Sequence, residues 1–181
     1  MEHSREAHQS RDPARDHDPK ALRNALGAFA TGVTIITTRR ESGEPVGLTA
    51  NSFSSVSLTP PLVLWSLSRR SQSLAVFESC THFAINVLAA DQRALPQRFA
   101  TPTADKFSGV DWTPGAGGAP LLVGAAAHLI CESFSRLDGG DHVIFLGHIA
   151  SFHAWDDRAP LIFWRGRYLT PEVEPRSGAD K

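Results

Sequence analysis

Residues 46 to 67, VGLTANSFSSVSLTPPLVLWSL, set short hydroxyl and amide side chains between two apolar, β-prone segments. Thr49, Asn51, Ser52, Ser54, Ser55 and Ser57 are poor core material. They offer many small donors and acceptors beside exposed backbone, which suits a polar, planar ligand with a phosphate tail. Loops are commonly rich in the same residues, so the run alone reads equally well as a wet strand face. In an extended chain, alternation sets Thr49, Asn51 and Phe53 on one side and Ala50 and Ser52 on the other. Polar groups then share a side with an aromatic ring.

Two further segments carry charge. Ser68-Arg69-Arg70-Ser71 follows an apolar, β-prone stretch and leads into an expected helix. Free N–H groups at a helix start favour an anion, and arginine and serine add donors. A solvated turn would show the same arginine pair. Gly139-Gly140-Asp141-His142 reads as a hairpin turn with a histidine at the start of the next strand, beside a carboxylate that can orient its ring. A single histidine is more often structural than functional.

Other chemistries fit less well. His128, His142, His148 and His153 could be gathered into a metal site, but His142 and His148 lie about 20 Å apart on one strand at ~3.3 Å per residue. Neither HExxH nor CxxC occurs. The run Gly115-Ala-Gly-Gly-Ala-Pro120 lacks the third glycine of a dinucleotide-binding loop and places proline where the helix should begin. Nucleophile-elbow and Walker A patterns are absent.

The elements that must position these residues follow from periodicity. Asp18-Pro19 opens a helix, with Leu22, Ala25, Leu26 and Phe29 on one face and Gly32 as the stop. Val33–Thr38 is a β-branched strand, and residues 41–45 are turn chemistry, so Val46 onward returns antiparallel. Pro60-Pro61 starts a strand over Leu62–Leu67. A short helix over Ser71–Ser79, a strand over His82–Leu88 and a helix over Asp91–Ala100, interrupted by Pro96, come next. Residues 101–120 read as loop. Strands over Ala125–Phe134 and His142–Phe152 flank the turn, and 161–169 closes the series. About six strands, mostly linked by hairpins, argue against a doubly wound parallel sheet, which needs crossovers. An antiparallel barrel with peripheral helices removes the sheet edges.

Composition sets the outer limits. A chain of 181 residues, 41% hydrophobic and 20% charged, is expected to form one globular domain. A net charge of −1 offers no general attraction to nucleic acid or an anionic membrane. No apolar run reaches the ~18 residues of a membrane helix, and the polar N-terminus lacks the apolar core of a signal peptide. The expected division is a loose tail over 1–18 (with His3, His8 and His17), a domain over 19–170, and a second loose tail over 171–181. Cys80 and Cys131, far apart and outside any CxxC pair, read as two buried thiols in a cytoplasmic protein.

Taken in order, FATGVTIIT at 29–37, the 47–67 segment, SRRS, RFA at 98–100, DKF at 105–107, GGDH and LIFWRGRY at 161–168 resemble the flavin reductase-like family. The resemblance spans about residues 20–170. It implies a mainly β, six-stranded antiparallel Greek-key split barrel that works as a homodimer and feeds reduced flavin to a separate flavin-dependent monooxygenase. FMN or FAD would lie along Thr49, Ala50, Asn51 and Ser52, with Ser54, Ser55, Ser68, Arg70 and Ser71 at the ribityl or phosphate end. Phe99, Lys106 and Phe107 would cover the site, Tyr168 would help close it, and His142 would contact NADH or NADPH. Either arginine of the pair is available for the phosphate, and Trp65 is placed to alter packing near the ring. Two other readings stay open: a flavin enzyme of the same fold acting directly on an organic substrate, and a flavin- or haem-binding module without turnover.

Overall fold

A computed structural model describes residues 18–103 and 105–172. The two expected tails lie outside the described residues, apart from Asp18, Pro171 and Glu172. The first helix, α1 (Pro19–Leu26), is capped as expected: the Lys20 N–H donates to Asp18 Oδ1 at 3.0 Å, and proline occupies the first turn. It stops at Gly27, earlier than Gly32, and buries none of its residues. Leu22 and Leu26 face outward, and Phe29 beyond the helix end is 78% exposed.

The strands are β1 (Thr31–Gly32), β2 (Thr34–Arg39), β3 (Pro45–Ala50), β4 (Ser54–Leu58), β5 (Pro61–Ser68), β6 (His82–Val87), β7 (Trp112–Pro114), β8 (Pro120–Leu122), β9 (Ala127–Gly139), β10 (His142–Ala154), β11 (Ile162–Trp164) and β12 (Arg167–Leu169). Seven of them form one antiparallel sheet in the order β3-β2-β6-β9-β10-β5-β4. The mainly β, antiparallel architecture is the one expected, with one strand more than six in the principal sheet. The hydroxyl-rich run accounts for the difference. It bends at residues 51–53 and resumes as a separate strand, β4, paired only with β5.

The sheet rolls up because its two ends share a core. Val46, Leu48 and Ala50 of β3 pack in one cluster with Val63, Trp65 and Leu67 of β5, and with Phe83, Ile85, Cys131, Val143 and Phe145 from the middle strands. Trp65 sits at the centre, stacked on Phe145 at 4.6 Å and edge-on to Phe77 and Phe83. The ring expected to alter packing near a ligand is core instead. No ladder joins β3 to β5; the seam is made by one side chain. Ser52 Oγ accepts from the Ser66 N–H at 2.9 Å and contacts the Ser66 carbonyl at 3.2 Å.

β2 and β6 are buried on both faces. A second cluster of Val33, Ile35, Leu88, Phe99, Leu122 and Leu161 covers them from outside. Part of that cover lies in the stretch expected to be loop. Gly117 and Gly118 take positive φ of 63° and 77°, and a Cβ at Gly117 would lie 2.6 Å from His82 Cβ, so only glycine fits this turn between β7 and β8. Buried Asn86 ties the hairpin down, donating to the Ile35 carbonyl at 3.0 Å and accepting from the Leu122 N–H at 2.8 Å. The remaining helices are short: α2 (Leu74–Ser79) and α3 (Leu95–Ala100). Pro96 opens α3, where its missing N–H is not needed, and does not interrupt a longer helix.

Candidate functional site

Beyond the Ser52 seam the edges of β3 and β5 are not paired, and the gap between them is a cleft of about 840 Å³. β3 forms one wall, with Pro45, Val46, Gly47, Leu48 and Thr49. The other wall is the end of β5 with the turn after it, Ser66 to Ser68 and Arg70 to Ser73. Phe99, Ala100, Pro102, Thr103, Lys106 and Phe107 form a third side, and His142 stands at the β5 side.

β-pairing brings together two segments far apart in sequence. In the β5–β10 ladder His142 lies opposite Ser68, which puts the GGDH turn beside SRRS. Arg69 is held by that turn: Nε donates to the Gly140 carbonyl at 2.8 Å, and Nη2 lies 3.0 Å from Asp138 Oδ2. Asp138 is held below the usual carboxylate range, first by the Gly140 N–H and then by Arg69. Among the described residues no side-chain hydrogen bond or ion pair occupies the Arg70 guanidinium; Arg70 lines the cleft, and its charge adds to that of His142 in lowering the Asp141 carboxyl. The backbone of the turn is partly satisfied internally, Ser71 N–H donating to the Ser68 carbonyl at 2.9 Å. The next helix starts only at Leu74 and is six residues long, so SRRS forms a cationic serine turn and not the helix start expected from sequence.

His142 Nδ1 lies 2.7 Å from Asp141 Oδ1, and this contact holds the Asp141 carboxyl below its ordinary value. A carboxylate accepts only, so the proton of the neutral ring sits on Nδ1 and Nε2 is left with its lone pair free. Lys106 Nζ donates to the Phe99 carbonyl at 2.7 Å and reaches the Gly47 carbonyl at 3.3 Å; burial lowers its pKa.

Eight of the residues expected from sequence line this cleft: Thr49, Ser68, Arg70, Ser71, Phe99, Lys106, Phe107 and His142. The others are placed elsewhere. Ala50 is buried in the barrel and its carbonyl accepts from Thr34 Oγ1 at 2.6 Å. Ser52 makes the seam. Asn51 is half-buried in the bend, its Oδ1 without a partner. Ser54 and Ser55 are exposed on edge strand β4. Tyr168 packs on Phe163 in the small sheet β1-β11-β12, its centroid 5.3 Å away. Alternation fails past residue 50 because the chain leaves the strand there, and the Thr49 hydroxyl donates to the Pro96 carbonyl at 2.7 Å.

Sequence reasoning passed over Arg40, Glu44, Gln72 and Ser73. Gln72 and Ser73 simply extend the SRRS turn. Arg40 and Glu44 bracket the β2–β3 turn at the mouth, 3.1 Å apart, and nothing local in sequence distinguishes them from a solvated pair. Among the described residues no group of three or more His, Cys, Asp or Glu side chains is arranged to hold a metal. His128 instead is buried, its Nε2 2.9 Å from the Leu122 carbonyl, and burial lowers its pKa.

These features define a split barrel: a rolled antiparallel sheet with a gap in its wall, a cationic turn at one end of the gap and an aromatic side chain at the other. Residues 26–172 match the Flavin reductase like domain, and the chain belongs to that family. It is 44% identical over 158 residues to the reductase subunit HsaB of a flavin-dependent monooxygenase from Rhodococcus jostii, covering 87% of this chain and 80% of that one. It is also 44% identical over 149 residues to the FMN reductase (NADH) SmoA of Agrobacterium fabrum, covering 82% and 84%. Among solved structures, the NADH:FAD oxidoreductase SgcE6 of Streptomyces globisporus, in complex with NAD and FAD fragments, superposes with a TM-score of 0.81 at 41% identity, covering 88% and 97%.

Proposed function

We propose that the protein is an NADH-dependent flavin reductase that passes reduced FMN or FAD to a separate monooxygenase. The observation that carries this reading is the pairing of an unengaged Arg70 with the Asp141–His142 pair on one side of a cleft whose other side is aromatic.

The residues present fit a flavin nucleotide. Arg70 with the Ser68, Ser71 and Ser73 hydroxyls supplies charged and neutral donors for a phosphate. Leu48, Leu67 and Phe107 supply apolar surface for a planar ring, and fully buried Phe99 backs Phe107 edge to face. Bound there, a flavin is the hydride acceptor, and the cofactors carry that chemistry without a protein nucleophile. The two cysteines agree with this division of labour: both are free, and burial pushes the Cys131 thiol up to about 12. The protein's tasks are binding, orientation and dryness. His142, its ring fixed by Asp141, turns Nε2 as an acceptor toward an amide N–H of the nicotinamide carboxamide.

His142→Ala is expected to raise the KM for NADH about two- to tenfold, the worth of one hydrogen bond. Flavin affinity should change by less than the KM for NADH, since the donors given to the phosphate are Arg70 and the serine hydroxyls and not His142. Equal losses in both would remove the role given to His142. The function as a whole is tested by NADH oxidation in the pure protein. Turnover that rises with added free flavin is expected; flavin binding without NADH oxidation would overturn the reading.

A homodimer and a cytoplasmic location belong to the same proposal. The outward face of α1, with Leu22, Leu26 and nearby Phe29, is apolar surface of the kind a second copy covers. Sedimentation at micromolar concentration reads the dimer directly. Among the described residues no helix is long and apolar enough to cross a membrane.

A further inference from the structure

The third side of the cleft is a short irregular segment, residues 105–111, and little regular structure holds it there. Asp105 Oδ1 accepts from the N–H groups of Phe107 at 3.2 Å and Ser108 at 2.9 Å, and Val110 N–H donates to the Phe107 carbonyl at 2.9 Å. These contacts shape the segment but do not attach it. Attachment comes from Arg98, which donates to the Ser108 carbonyl, from Lys106, and at the segment's far end from the Val123 N–H, which donates to the Asp111 carbonyl at 2.9 Å.

Lys106 reaches two carbonyls of different origin. Phe99 lies in the last turn of α3, where carbonyls lack intrahelical partners. Gly47 lies on β3, an outer strand of the main sheet. One ammonium serves both, and a cation at a helix C-terminus is favoured by the helix dipole as well. The fit around it is close. A Cβ at Gly47 would lie 2.7 Å from Phe99 Cε1 and 3.1 Å from Phe107 Cζ. Phe99 and Phe107 meet edge to face at 5.0 Å, and Phe107 meets Trp112 at 6.2 Å.

We propose that Lys106 is a positioning residue: its ammonium fastens the 105–111 segment to β3 and α3, and so holds Phe107, backed by buried Phe99, as a fixed wall of the cleft. Its charge is directed at protein carbonyls and does not serve as the phosphate contact, which falls to Arg70. The clasp is a property of the protein alone; its effect on ligand rests on the flavin reading above.

The two parts are tested separately. In flavin-free protein, K106M is expected to speed hydrogen exchange in a peptide covering 105–111, while the β9–β10 ladder exchanges as in the wild type. K106R, which keeps a donor to both carbonyls, is expected to retain slow exchange. Unchanged exchange in K106M would overturn the clasp, as would faster exchange throughout the chain. In flavin titrations K106M is expected to weaken FMN and riboflavin alike, by about tenfold. A loss confined to FMN would make Lys106 a phosphate ligand and overturn the proposal. A wild-type protein that binds neither flavin would refute the proposed function and leave the exchange result standing. A check free of any variant uses amine acetylation followed by mass spectrometry. The chain has three lysines, at 20, 106 and 181. Lys106 should react more slowly than exposed Lys20, although its lowered pKa would make a free amine faster. Equal or faster reaction at Lys106 would contradict the clasp.

Discussion

Replacing Arg70 by alanine is expected to weaken FMN binding by roughly ten- to hundredfold, the worth of one charge-assisted phosphate contact of about 1.5–3 kcal/mol. Riboflavin, which lacks the phosphate, should change by less than about twofold. The expectation rests on which arginine is free. Arg69 donates to the Gly140 carbonyl and pairs with Asp138, while Arg70 lines the cleft and its guanidinium has no hydrogen bond or ion pair among the described residues. The companion variant Arg69→Ala should therefore act on the 138–141 turn. Both members of its ion pair are solvent-exposed, so its effect on stability stays within about 1 kcal/mol. Parallel titrations of FMN and riboflavin read the difference. Equal losses for the two flavins in R70A would show that Arg70 acts on the ring or on the shape of the turn.

The largest effect on stability is expected at Trp65. Trp65→Ala removes a fully buried ring that contacts Phe77, Phe83 and Phe145, and should cost about 3–5 kcal/mol in equilibrium denaturation. Trp65→Phe should cost far less than its lost volume suggests. The indole Nε1 is buried without an acceptor, and removing an orphan donor returns about 1–3 kcal/mol of desolvation penalty. Because Trp65 does not line the cleft, the phenylalanine variant should bind FMN like the wild type at temperatures where it is folded. A Trp65→Phe protein as unstable as Trp65→Ala would mean that Nε1 has a partner, such as a buried water.

Local chemistry made much of the barrel legible. The β-branched run at 33–38 is β2, the proline pair opens β5, and Asp138-Gly-Gly-Asp141 is the hairpin joining β9 to β10. SRRS and His142 were legible as types, and their meeting follows from β-pairing that only the fold supplies. What depends on closure was not legible. Ser52 looks like any serine of the run until Ser66 is set opposite it. Thr49, Asn51 and Phe53 share a side only if the strand continues, and it bends. Pro96 looked like a break because proline disrupts helix interiors, yet it stands in the first turn, where it is tolerated. Tyr168 belongs to a core on the far face of β2 and β6, a layer that no strand pattern announces when both faces are apolar.

The central claim is that a flavin nucleotide occupies the split between β3 and β5. A crystal soaked with FMN tests it directly. Difference density for the ring against Phe107, with the phosphate at Arg70, Ser68 and Ser71, is the expected result. Saturating FMN that leaves this cleft empty, or settles at another surface, would contradict it.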